Sequence, residues 1–121
     1  MASIRYLVQD VDDSIKFYVD ALGFSLVEQY GPAMAIVEKD DLTLWLAGPA
    51  SSAAKAMPDG SKPVPGGWNR LVIRAENLAE LVGHLKTQGI SFRNEIVSGP
   101  GGSQILCVDP SGNLVELFQS K

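Results

Sequence analysis

Apolar and polar positions change period several times along this chain, and each change marks an element. In "SIRYLVQ", residues 3–9, Ile4, Tyr6 and Val8 alternate with Ser3, Arg5, Leu7 and Gln9, the two-residue period of a strand. The period then lengthens. Ile15, Tyr18, Val19 and Leu22 recur three or four positions apart, which puts one apolar stripe on a helix. Either Asp10 or Asp12 can cap that helix, acidic residues crowd its first turn, and Gly23 is a natural stop. "FSLVEQY" (24–30), "AMAIVEK" (33–39) and "LTLWLA" (42–47) read as three more strands, with turns at Gly31-Pro32 and Lys39-Asp40-Asp41.

Between Gly48 and Gly67 the periodicity disappears and Pro, Gly, Ser and Ala dominate. Residues 49–67 therefore read as a linker, and a connection of that length without structure of its own is often functional or mobile. The pattern then restarts. "NRLVIRA" (69–75) is a strand. Leu78, Leu81, Val82 and Leu85 form the stripe of a second helix, capped by Asn77 with Glu80 three residues later and stopped by Gly89. "ISFRNE" (90–95), "SQILCV" (103–108) and "LVELFQ" (114–119) are strands again, separated by turns at 99–102 and 109–112.

The order is βαβββ, linker, βαβββ, and the halves match locally. "LGFSL" at 22–26 lies over "QGISF" at 88–92, and "DDLTLWL" at 40–46 lies over "GNLVELF" at 112–118. Such self-similarity marks a repeated supersecondary unit. Each unit alone covers one sheet face with its helix and leaves the other bare. The expectation is an α+β fold in which two βαβββ modules pair into an open, trough-like mixed sheet with helices on the outer face. Module one is 1–48, the linker 49–67 and module two 68–121, all within a single domain. A sheet-lined trough is a natural place for a ligand.

Composition narrows the classes. A chain of 121 residues with 45% hydrophobic and 20% charged positions is globular and not disordered. The net charge of −4 without a basic run argues against nucleic acid and anionic membrane as partners. No apolar segment resembles a leader or a membrane span, so the expected location is the cytoplasm. One cysteine, Cys107, excludes an internal disulfide and a Cys-based zinc site and suits a buried strand position. The single histidine, His84, falls near the edge of the second helix's stripe and reads as a surface or boundary residue. With one His and one Cys so placed, no Ser-His-Asp or Cys-His arrangement is available. "GPGGS" (99–103) precedes a strand and not a helix, so it reads as a turn and not as a phosphate loop.

"VQDVDDSIKFYVDALGF" (8–24) and "DPSGNLVELF" (109–118) resemble the vicinal oxygen chelate superfamily, which includes glyoxalase I, extradiol dioxygenases, fosfomycin-resistance enzymes and bleomycin-resistance proteins. The likeness covers nearly the whole chain except the linker. The motifs are specific for the fold and not for a reaction. The resemblance implies metal ligands in the first and last strand of each module, facing the trough. Carried onto this sequence, those positions are Ser3, Leu44 (or Trp45 if the register slips), Arg70 (or Asn69) and Glu116. Only Glu116 is a metal-ligating residue of the expected kind, whereas a catalytic divalent site needs about three protein ligands.

Strand phase favours Arg70 over Asn69. Leu71, Ile73 and Ala75 form the apolar set, so Arg70, Val72 and Arg74 turn to the other face. In the last strand, Val115 and Leu117 face the helix, and Glu116 shares the trough face with Leu114 and Phe118. An unpaired carboxylate on a dry sheet face is costly, and Arg70 is placed to offset it. The expectation is a charge-assisted Arg70–Glu116 pair where relatives hold metal, offering a ligand both a donor and an acceptor. It is equally a pair that satisfies only itself. Arg5 faces either inward or into solvent. Trp68 serves either as a wall of the pocket or in core or lid packing. Trp45 packs under the first helix. Phe92 and Arg93 are neighbours of which one faces in, with Phe92 assigned to the ligand-binding set beside Arg70, Glu116, Arg5 and Trp68. Met57 is placed to close over an apolar group.

Three functions follow. One is a metal-free protein that sequesters a small, partly aromatic or polar ligand, similar to the bleomycin-resistance branch, acting as a homodimer. Another is a glyoxalase-like lyase or isomerase, or a dioxygenase-type enzyme, in which Glu116 is the general base or a ligand to an added divalent metal. The third is an accessory subunit that keeps the fold and takes no ligand.

Overall fold

In the computed structural model of the protein, which describes residues 2–121, the chain divides between Gly66 and Gly67 into two compact units. Each sheet draws its strands from one unit. The first contains β1 (Ile4–Leu7), α1 (Val11–Lys16), β2 (Ser25–Tyr30), β3 (Met34–Lys39) and β4 (Leu42–Ala47). Its strand order is β1-β4-β3-β2. β1 runs parallel to β4, and the other neighbours are antiparallel. This is an open, mixed sheet.

Asp10 is the helix cap. Its Oδ1 accepts from the Asp13 amide at 2.9 Å, while its own carbonyl accepts from the Ser14 hydroxyl at 2.7 Å. After Lys16 the helix widens into a π-helical turn, Phe17–Ala21, with the Leu22 amide donating to the Phe17 carbonyl at 3.3 Å. The wider turn shifts the buried stripe to Val11, Ser14, Phe17, Tyr18 and Leu22 and leaves Ile15 and Val19 at its margin. Tyr18 meets Phe17 and Phe24 edge-on, at centroid distances of 4.9 and 5.4 Å. This apolar group covers Ala35, Val37, Leu44 and Leu46, all fully buried. The covered face thus takes alternate residues of β3 and β4.

The expected linker is partly structured. Ser51 is buried and its hydroxyl donates to the Gly48 carbonyl at 2.7 Å, a 3₁₀ turn follows at Ser52–Ala54, and Ala54 is buried. Small residues allow this close wrapping, so residues 49–54 belong to the first unit and not to a free tether.

The second unit holds β5 (Arg70–Arg74), α2 (Leu78–Thr87), β6 (Ser91–Phe92), β7 (Val97–Gly99), β8 (Gly102–Val108) and β9 (Leu114–Ser120). The order is β5-β9-β8-β6, with β7 also on β8. The expected strand 90–95 shortens to two residues and β7 is additional. Leu106 explains the break: its amide donates to the Asn94 side chain at 2.9 Å while its carbonyl accepts from the Arg93 amide at 2.9 Å. The pairing register on β8 shifts between Phe92 and Val97, as at a bulge.

Asn77 caps α2 through the Glu80 amide at 3.1 Å. Gln119, from β9, adds a second cap by accepting from the Leu78 amide at 2.6 Å. Leu78, Val82 and Leu85 pack with Leu71, Ile73, Ile105, Cys107, Val115 and Leu117 as the buried set. The β8–β9 turn is tied by Asp109. Its Oδ1 accepts from the amides of Ser111 and Asn113 at 2.9 and 2.8 Å, and its Oδ2 from the Asn113 side chain at 3.0 Å. Among the described residues, no helix is long and apolar enough to cross a membrane.

Candidate functional site on the uncovered sheet faces

Alternation leaves each sheet a face turned away from its helix. In the second unit, β5 pairs with β9 so that Arg70 stands beside Leu114, Val72 beside Glu116 and Arg74 beside Phe118. Leu106 of β8 is the other neighbour of Glu116. The buried residues on either side of Glu116 are the helix-facing Val115 and Leu117. Period two therefore places the carboxylate on the uncovered face.

Arg70 and Glu116 form the expected pair. Arg70 Nε and Nη2 both donate to Glu116 Oε1, at 3.1 and 3.0 Å. The side chains are 31% and 10% exposed respectively, so the carboxylate is largely shielded while the guanidinium still reaches water. Glu116 Oε2 takes no hydrogen bond from the described residues. Arg70 Nη1 donates to the Trp68 carbonyl at 3.4 Å.

Trp68 is not in a core: it is 64% exposed. The Arg93 guanidinium lies over its ring, 4.6 Å from the centroid. The register break after Phe92 re-aims the chain here, and Arg93 takes the uncovered face. Phe92 does not join this group. It pairs with Cys107 on the helix side, and Lys86 of α2 stands 5.8 Å from its ring centroid. The alternation that brings Arg93 in sends Phe92 out.

In the first unit the offset-based equivalence of Leu44 with Glu116 fails. Leu44 is fully buried on the helix side. Trp45 occupies the uncovered face instead of packing under α1, because one residue of slip exchanges the faces of a strand. Arg5 pairs in register with Trp45 and places its guanidinium 4.9 Å from the ring centroid. Arg5, Trp45, Tyr30, Met34, Ile36 and Ser51 are among the residues lining a hollow of about 540 Å³. Tyr30, Met34, Ile36 and Ser51 were not anticipated as lining residues. The alternation of β3 could have suggested Met34 and Ile36, but Ser51 sits in a stretch without period. Ser3 is exposed ahead of β1, His84 is exposed on α2, and Met57 is 47% exposed in the 57–60 turn.

These side chains do not form a donor set for a divalent ion. Glu116 Oε1 is engaged by a guanidinium, and Trp45 and Arg5 offer no ligand atom. Among the described residues no three His, Cys, Asp or Glu side chains are grouped to hold a metal.

The geometry agrees with the family findings. The sequence matches the family model Glyoxalase, described as the Glyoxalase/Bleomycin resistance protein/Dioxygenase superfamily, over residues 1–117. The chain belongs to that superfamily. It is 29% identical over 119 residues to a bleomycin resistance protein of Geobacillus stearothermophilus, covering 93% of this chain and 90% of that one. A lactoylglutathione lyase from Agrobacterium tumefaciens has the same fold at a TM-score of 0.75 with 20% identity, covering 98% and 92% of the two chains. So does an antibiotic-binding protein from a Streptomyces species, at a TM-score of 0.71 with 24% identity, covering 100% and 97%.

Proposed function

We propose that this protein binds a small, partly aromatic or polar molecule on its uncovered sheet faces, without a metal ion at Glu116. The observation that carries the reading is the Arg70–Glu116 pair. Two guanidinium N–H groups converge on one carboxylate oxygen where metal-dependent relatives are expected to place a ligand. A fixed cation there does locally what a divalent ion would do for the carboxylate charge. It also leaves Oε2 to accept from a ligand and keeps guanidinium N–H groups to donate to one. The likeness to bleomycin resistance proteins supports a binding role. In this reading the protein works in the cytoplasm as a homodimer.

A second reading rests on the same free oxygen. Oε2 is placed to take a proton from a bound substrate, as a general base does, so a lyase or isomerase activity is the alternative. A thermal-shift screen separates the two, since a ligand that binds the folded state raises the melting temperature. Stabilisation by aromatic compounds and none by Mn²⁺, Ni²⁺ or Zn²⁺ is expected. A stabilising metal, or turnover that Glu116→Gln abolishes, favours the enzyme. Failure of both metals and a broad compound panel to stabilise the protein contradicts the binding reading.

A further inference from the structure

The chain has four arginines, Arg5, Arg70, Arg74 and Arg93, and six lysines. All four arginines stand on uncovered sheet faces: Arg5 beside Trp45 in the first unit, and Arg70, Arg74 and Arg93 in the second. The lysines lie elsewhere: Lys16 and Lys86 on helices, Lys39 at the end of β3, Lys55 and Lys62 in the 49–67 segment, Lys121 at the last position. Among the described residues, the ion pair is Arg70 with Glu116, and Arg5, Arg74 and Arg93 have no carboxylate within reach. In an acidic protein with 14 Asp and Glu side chains, three guanidinium groups make no ion pair with any of them among the described residues.

Two of these arginines place their guanidinium carbon over an indole ring, Arg5 at 4.9 Å from the Trp45 centroid and Arg93 at 4.6 Å from that of Trp68. Stacking fixes the plane of a guanidinium and leaves its N–H edge free, the arrangement that receives an oxyanion in two parallel hydrogen bonds. In the second unit the components are contiguous. Glu116 binds Arg70, Arg70 donates to the Trp68 carbonyl, and the Trp68 ring carries Arg93. A cationic ligand would meet Arg74 and Arg93 here with one carboxylate in return, and that carboxylate already has its counter-ion.

We propose that the ligand is a planar aromatic anion, recognised on the second unit's uncovered face. Its oxyanion is held by Arg93 together with the N–H groups that Arg70 Nη1 and Nη2 do not spend on Trp68 and Glu116, its ring lies at Trp68, and a neighbouring hydroxyl or amino group donates to Glu116 Oε2. This deepens the binding reading above and rests on it. Carboxylate, sulfonate and phosphonate share the required chemistry. The first unit repeats the motif independently, with Arg5 on Trp45 beside an apolar hollow.

The test uses the intact protein and three probes of one shape: hydroxynaphthoate, the neutral hydroxynaphthamide, and naphthylmethylammonium. The two indole N–H signals in an NMR titration, Trp45 and Trp68, report which unit responds. The naphthoate is expected to move the Trp68 signal and to bind at least roughly tenfold more tightly than the amide. Arg93→Gln should remove that preference, and Arg93→Lys should restore only part of it, since an ammonium neither stacks nor forks in the same way. Equal or tighter binding of the amide or the ammonium compound overturns the anionic class and leaves metal-free binding standing. A preference that survives Arg93→Gln, or no response to any probe, also overturns the inference. The broader screen described above then judges the binding reading separately.

Discussion

Glu116 is a charge within an apolar strand, and its neighbours decide what it does. The strand alternation of 70–74 and 114–118 was legible in the sequence and was enough to bring Arg70 and Glu116 to one face. Sequence could not show that both donors converge on a single oxygen, because that depends on side-chain rotamers. A partly exposed guanidinium screens its own attraction, so the pair adds modestly to stability, while removing one member strands the other. Arg70→Ala and Glu116→Gln are each expected to destabilise the fold, and the double variant by less than their sum. A coupling energy of about 1 kcal/mol from a urea double-mutant cycle is the expected size. Strict additivity would mean that the contact is not made in solution.

Elements were read best where local chemistry is decisive. Asp10 and Asn77 cap their helices with side-chain oxygens, as residues of that type before an apolar stripe should. Three features needed the fold. The π-helical turn at Phe17–Ala21 changes which residues face the sheet, and no propensity marks it. The break between β6 and β7 depends on Asn94 replacing a main-chain partner. The face of Trp45 was misplaced because matching the two halves by a fixed offset aligns Leu44 with Glu116, whereas β1 and β3 hold Leu44 on the helix side. The cap itself is open to measurement. Asn77→Ala should lower stability by about 1 kcal/mol, and Asn77→Asp should retain it; no loss in Asn77→Ala would show that Gln119 alone satisfies the first turn.

For the whole molecule, the repeat and the family were both visible in the sequence, and the chain carries one α+β unit with an open mixed sheet in each half. The buried Cys107 links one core to global stability. Burial pushes its thiol from an ordinary 9.0 up to about 12. Below the lower value the thiol is protonated whether the chain is folded or not, and its contribution does not change with pH. Between the two values the unfolded chain gives up the proton and the folded chain keeps it, so stability falls as pH rises, by up to about 1.4 kcal/mol per unit. Urea midpoints measured at about pH 8 and about pH 10.5 should therefore fall further for the wild type than for Cys107→Ala. An identical fall in both would remove Cys107 as a cause.

The claim that joins these scales is that an arginine stands where metal-dependent relatives would hold an ion. Elemental analysis of protein purified at neutral pH without chelator addresses it most directly. The account predicts metal far below one ion per chain, and no gain after dialysis against Mn²⁺, Ni²⁺ or Zn²⁺. Stoichiometric metal that is lost in Glu116→Gln would contradict it.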